Sequence, residues 1–471
     1  MPRHPKIPIF ILCIIAIRLC PGASLGGVLT NVAHTVFPVG FSGEGCVEMH
    51  LRSLGSAYRA ADVFRESGLD PALGRGVDVE KLAKALPRLG YSLPDSVLRV
   101  GRRKLGAFLA QQWAKMDADL AAGTPWLVRL APDVENHVLG FVVVVGLDTN
   151  QQAVVYHDPI RADGAFQSIS VADFEKRWVF KAGFRRYSVF GIPMRNNVSA
   201  PHTIATSRRT VTRMDCAVHV RALVPRLPGS AFDIDVAPPF VIISDQSHRR
   251  IKQQMRDVVR PALQQWRTQF FANDPDHVVE VWLFRDAKSY MKHIPDLFGH
   301  EPASHLGYMS PEHNALIVNM ASGVGALRHE LVHPFVRANI ATCPTWFDEG
   351  MASLYERCDE RGDVLRGLPN WRLILLQKAI KEHETLPLEQ LFALEALPFY
   401  NDPLGVHYAQ SRYLFLYLQE RELLQAFYAA FESADPSERS SERILLATVD
   451  GDDLQTFQRH WEAYVMALRF P

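Results

Sequence analysis

Cysteine is scarce: the chain has 6 in 471 residues. That is too few for a disulfide-built scaffold, so folding must rest on a buried apolar core. Net charge is absent too, since Lys plus Arg and Asp plus Glu both number 51. No global field therefore draws the chain to nucleic acid or acidic lipid. The basic runs Arg102-Arg103-Lys104 and Arg208-Arg209 read as solvated faces. Internal repeats and low-complexity tracts are lacking, which excludes solenoids and disordered arrays. The apolar run from Ile7 to Ile17 falls short of the roughly 20 residues that span a bilayer.

What is present is a globular composition, 48% hydrophobic and 22% charged, in a chain long enough for two or three domains. Arg3, His4 and Lys6 precede the apolar run, and Pro21-Gly22-Ala23-Ser24 follows it. Together they make residues 1–24 an export signal, so the protein is expected to be secreted, periplasmic or at the cell surface. A lipid anchor on Cys20 is the less favoured alternative, because Arg18 and Leu19 fit such a signal poorly. Membrane contact is otherwise expected only if this segment is retained as an anchor. Of the other cysteines, Cys343 and Cys358 flank one helix and lie too far apart to bridge; they read as buried small hydrophobes.

Chemistry concentrates in Leu327-Arg328-His329-Glu330-Leu331-Val332-His333 and in Pro344-Thr345-Trp346-Phe347-Asp348-Glu349-Gly350. Two histidines four apart share one helix face and can both reach one metal ion. Glu330 beside them is placed to take a proton from a water on that ion. A catalytic zinc needs a third protein ligand and an open fourth position, and Glu349 on the next helix can be that ligand. The competing reading is a solvated charged face. Apolar Leu331, Val332 and Phe335 argue for a helix packed into a core instead, where unpartnered His and Glu would be costly.

These two motifs resemble those of the gluzincin metallopeptidases over residues 236–471. The resemblance implies that His329, His333 and Glu349 bind Zn2+, that Glu330 is the general base, and that a peptide or protein is the substrate. It also implies a tyrosine hydroxyl that stabilises the oxyanion; Tyr408 falls at the matching place, with Tyr308 and His407 as rivals. The strand before the motif helix, Ala315–Asn319, is then the cleft edge that pairs with substrate. Pro334 predicts a kink. Ser353 stands where relatives carry an acid that orients a ligand His, and is a weaker partner.

Residues 25–194 read as a compact α/β unit with a helix from Cys46 to Gly55, further helices over 79–86, 104–120 and from 171, and strands at 126–130, 141–146 and 153–156. Gly45-Cys46 opening a helix, His137 before a valine-rich strand, Asp158-Pro159 after the next strand, and Phe174 with Trp178 resemble the papain-like peptidases that process double-glycine leaders. The resemblance implies Cys46 as nucleophile, His137 as its base and Asp158 orienting the His. Gly40 occupies the place of the oxyanion-hole Gln, and Glu44 disfavours a thiolate, so a catalytically inactive binding domain is the other reading. Residues 195–235 read as a connector whose Ala217–Val224 run alternates like a strand.

The sequence thus predicts an α+β protein: a papain-like α/β domain, then a zincin-like domain with a mixed sheet and a mainly helical C-terminal lobe. Zinc-dependent peptide hydrolysis is the expected function. A non-catalytic zinc-containing binding module and a cysteine peptidase acting through Cys46 are the alternatives.

Overall fold

The computed structural model describes residues 27–92, 98–131, 140–183, 186–196, 210–229, 231–359, 364–437 and 439–470. The export signal, Cys20 and His137 lie outside them. The fold is α+β, in two compact units: residues up to 70 with 75–205, and residues 71–74 with 206–471. Among the described residues no helix is long and apolar enough to cross a membrane.

In the first unit, strands β1 (Leu98–Gly101), β2 (Trp126–Leu130), β3 (Gly140–Asp148), β4 (Ala153–His157), β5 (Gln167–Ser170), β6 (Val179–Gly183), β7 (Arg186–Val189) and β8 (Gly191–Pro193) form two sheets, β5-β4-β3-β2-β8 and β1-β7-β6. The valine run of β3 explains its central place. Side chains alternate across a strand, so Phe141, Val143 and Val145 pack with Cys46, Val47 and Met49 of the helix Ser42–Ser53. Val142 and Val144 enter the opposite core with Leu109, Trp113, Met116, Phe174 and Trp178.

The second unit is built on a sheet of order β12-β13-β11-β10-β9. Its strands are β9 (Asp233–Ala237), β10 (Phe240–Ser244), β11 (Val279–Phe284), β12 (Gly307–Ser310) and β13 (Ala315–Asn319). Strands β10, β11 and β13 run parallel, and the two edges are antiparallel. A parallel interior buried on both faces accounts for the near-continuous apolar runs of these strands. A two-stranded ribbon, β14 (Cys358–Asp359) with β15 (Arg366–Gly367), follows. One sheet face, through Ile242, Val281, Leu316 and Val318, meets Leu327, Leu331, Val332 and Phe335 of the motif helix Val324–Asn339. The other face, through Val241, Ile243, Trp282 and Ile317, meets Cys216, Val220 and Leu223.

Two expectations are corrected here. The run read as a strand in the connector belongs to a helix, Arg213–Leu223, started by a capping box between Thr212 and Asp215. Its buried Met214, Ala217 and Val220 recur every third residue, a helical face that the local alternation of valines obscured. Ala315–Asn319 is an interior strand; the edge is β12, which Gly307 and its short length made look like a turn. The motif helix continues through Pro334 to Asn339.

The acid-bearing helix Thr345–Leu354 packs against the helix Val406–Glu420. Gly350 permits the approach: a Cβ there would stand 2.7 Å from the Phe415 ring and 3.1 Å from the Ser411 carbonyl oxygen.

Candidate metal centre

His329 and His333 lie one turn apart on the motif helix, with ring centroids 5.0 Å apart. The acid helix brings Glu349 to them: its Oε2 is 3.1 Å from His329 Nε2 and 3.9 Å from His333 Nε2. Among the described residues these three form the one such group, buried, with one ligand atom from each within 4.8 Å of the others. Ligand atoms around a tetrahedral zinc with bonds of about 2.0–2.1 Å stand about 3.3 Å apart, so small movements would close them on one ion. Glu349 Oε2 is buried without a hydrogen-bond partner. An orphaned buried acceptor between two imidazole nitrogens fits a metal cation.

Each histidine is backed by a carboxylate on its other nitrogen. Asp348 Oδ1 is 2.7 Å from His333 Nδ1, and Glu356 Oε1 is 3.4 Å from His329 Nδ1. Both imidazoles thereby turn Nε2 toward Glu349; at His333 the Asp348 hydrogen bond fixes the tautomer, while at His329 Glu356 faces Nδ1 as an ion-pair partner. Glu356 is itself held by Arg372 Nε and the Arg372 guanidinium at 3.1 and 2.9 Å, and by Asn370 Nδ2 at 2.8 Å. Ser353, the expected partner, instead donates to the Glu349 carbonyl of its own helix at 2.6 Å. It faces along the helix, whereas the orienting acids sit on either side of Glu349 in sequence.

The electrostatics follow from burial and proximity. Burial opposes charge on both imidazoles. Glu349 and Glu356 overcome it at His329, Asp348 and Glu349 at His333, and both pKa values rise. Burial opposes the Glu349 anion as well, but His333, His329 and the Tyr400 hydroxyl hold its pKa down at about 2. Burial raises the Glu330 pKa above the ordinary carboxylate value against the pull of the two histidines, which suits a proton-accepting base. A Cβ on Gly307 would be 3.4 Å from Glu330 Oε1, so the glycine leaves the main chain of edge strand β12 open beside that carboxylate.

Tyr408 lies beside the centre, its ring 6.4 Å from that of His329 and 5.0 Å from the Arg372 guanidinium. Its rivals point elsewhere. His407 Nδ1 is 3.1 Å from the Phe399 carbonyl oxygen. Tyr308 pairs across from Ile317 and packs into the core on the sheet face away from the motif helix. Tyr400, which sequence reasoning missed, donates its hydroxyl to Glu349 Oε1 at 2.7 Å. Fifty-one residues separate the two, and no local pattern marks the pair.

Of the cysteine site expected in the first unit, Cys46 and Asp158 are among the described residues. The helix begins at Ser42, so Cys46 sits a full turn inside it, wholly buried in the core. Burial pushes its thiol pKa well up, and Asp158 and Glu44 add to the rise. Reactive cysteines are usually exposed with a depressed pKa, so burial here works against a thiolate at Cys46. At the helix start Ser42 Oγ instead accepts from the Phe141 N–H at 2.9 Å. The Asp158 carboxylate accepts from the Ile160 N–H at 3.1 Å. Cys343 and Cys358 are free and half-buried against the core of the second unit.

No family model and no curated protein matches the chain. Among solved structures it is similar to the peptidase domain of Streptococcus ComA, a bi-functional ABC transporter involved in a quorum-sensing pathway. The identity is 15%, the match covers 34% of this chain and 100% of that domain, and the TM-score is 0.23. So loose a superposition supports no statement about activity. The site itself defines a class: a buried His–His–Glu group that could hold a metal ion, with an acid beside it.

Proposed function

We propose that the second unit is a zinc-dependent peptidase of an exported protein. The observation that carries the reading is the donor set: two imidazoles with their outer nitrogens facing carboxylates, and between them a buried carboxylate oxygen with no hydrogen-bond partner. A zinc ion there supplies Lewis acidity, polarising a carbonyl and lowering the pKa of water. Glu330 takes the proton of the attacking water and returns it to the leaving amine. Strand β12, on the sheet edge next to Glu330, offers its main chain to an extended peptide. The Tyr408 hydroxyl stabilises the oxyanion as it develops.

Zinc content and peptide cleavage, measured for wild type and Glu330→Gln, test this reading. Loss of cleavage to a chelator, with indifference to thiol blockers, separates it from chemistry at Cys46. Zinc held without any cleavage of a peptide library would favour the binding-module alternative. Export rests on the charged and apolar pattern of residues 1–24; an N-terminus starting at Met1 in mature protein recovered from the cytoplasm would contradict it.

A further inference from the structure

We propose that Tyr400 is a positioning residue of this centre, fixing Glu349 as a one-oxygen ligand and so keeping a coordination position free. The proposal rests on the metal-centre reading above. A glutamate that binds through both oxygens would, with two histidines, fill all four positions of a tetrahedral site, so that water or substrate could enter only as a fifth ligand. Here the two oxygens are already distinguished. Oε1 accepts the Tyr400 hydroxyl at 2.7 Å, and Oε2, without a hydrogen-bond partner, is the oxygen 3.1 Å from His329 Nε2.

The hydroxyl is not there by accident of packing. The Tyr400 residue is 51% exposed, while its neighbour Phe399 is fully buried and anchors the short helix Ala396–Tyr400. Beyond that anchor, His407 Nδ1 stands 3.1 Å from the Phe399 carbonyl oxygen, and Asp402 Oδ2 accepts the His407 N–H at 2.7 Å. The Tyr408 ring lies 5.2 Å from Phe399 and 6.2 Å from Tyr400. A half-exposed tyrosine aimed at a buried carboxylate is thus held from behind by a braced turn.

The test is Tyr400→Phe in the full chain, with zinc affinity measured by chelator competition and the visible spectrum recorded after cobalt loading. Zinc binding is expected to weaken 10–100-fold, as for other groups that orient a ligand. The cobalt bands are expected to lose intensity, as they do when a tetrahedral ion gains a ligand. Thermal unfolding of the metal-free variant, matched to wild type, shows that the fold is kept. Unchanged affinity with an unchanged cobalt spectrum overturns the proposal. So does a fall in kcat with both unchanged, which would place the hydroxyl on the substrate instead. If wild type binds no more ion than His333→Ala, the metal-centre reading itself fails, and this proposal with it.

Discussion

Glu356→Gln isolates the contribution of one outer carboxylate. Glutamine keeps the shape but removes the charge that faces His329 Nδ1 at 3.4 Å. Outer groups of this kind typically change metal affinity 10–100-fold, which is about 1.4–2.7 kcal/mol. The change also strips Arg372, whose side chain is 9% exposed, of its counter-charge, so the metal-free protein should lose stability as well. The two effects separate by linkage. With zinc at about 100 times the wild-type Kd, binding stabilises the wild-type fold by about 2.7 kcal/mol. A thirtyfold weaker site at the same zinc concentration gains only about 0.9 kcal/mol. Thermal unfolding with and without zinc, for both proteins, reads the difference, and each metal-free sample absorbs the Arg372 effect. An equal zinc-induced gain in the two proteins would refute the role given to Glu356.

Tyr408→Phe should retain zinc and lower kcat by roughly a hundredfold with little change in KM; near-normal turnover in steady-state assays would remove Tyr408 from the oxyanion role. Cys46→Ala should leave peptide cleavage unchanged while costing about 1 kcal/mol of stability as a small core truncation, and the native thiol should resist blockers. Loss of cleavage in a folded Cys46→Ala protein would contradict the account. Burial lifts the Glu44 carboxyl from 4.5 to about 7. The folded state then binds that proton more tightly than the unfolded state. Stability should be full below about pH 4.5, fall by a few kcal/mol as pH rises toward 7, and level off above. Urea unfolding at pH 5 and pH 8 should show this slope, and Glu44→Gln should flatten it.

The sequence carried its clearest information where chemistry and periodicity coincide. His329 and His333 four apart, with apolar Leu331 and Val332 between them, specify a helix whose polar face turns inward. The valine run of β3 announces a strand buried on both sides. Contacts made across long intervals were silent. Glu356 reaches His329 from the turn after the acid helix and depends on Arg372, sixteen residues on, to hold it there. Tyr400 approaches Glu349 from a five-residue helix placed by a buried Phe399. Alternating valines at 218 and 220 imitated a strand until the Thr212–Asp215 capping box fixed a helix. The placement of Cys46 depended on one turn of helix: started at Ser42 instead of Gly45, it carries the thiol from the rim into the core.

The most direct test of the central claim is metal content and peptide cleavage, measured together on wild type and Glu330→Gln. The account predicts one zinc per chain in both proteins, chelator-sensitive cleavage by the wild type, and a loss of about 10²–10⁴-fold in the variant, the usual contribution of a general base. A wild type without zinc, or cleavage undiminished in zinc-loaded Glu330→Gln, would contradict it.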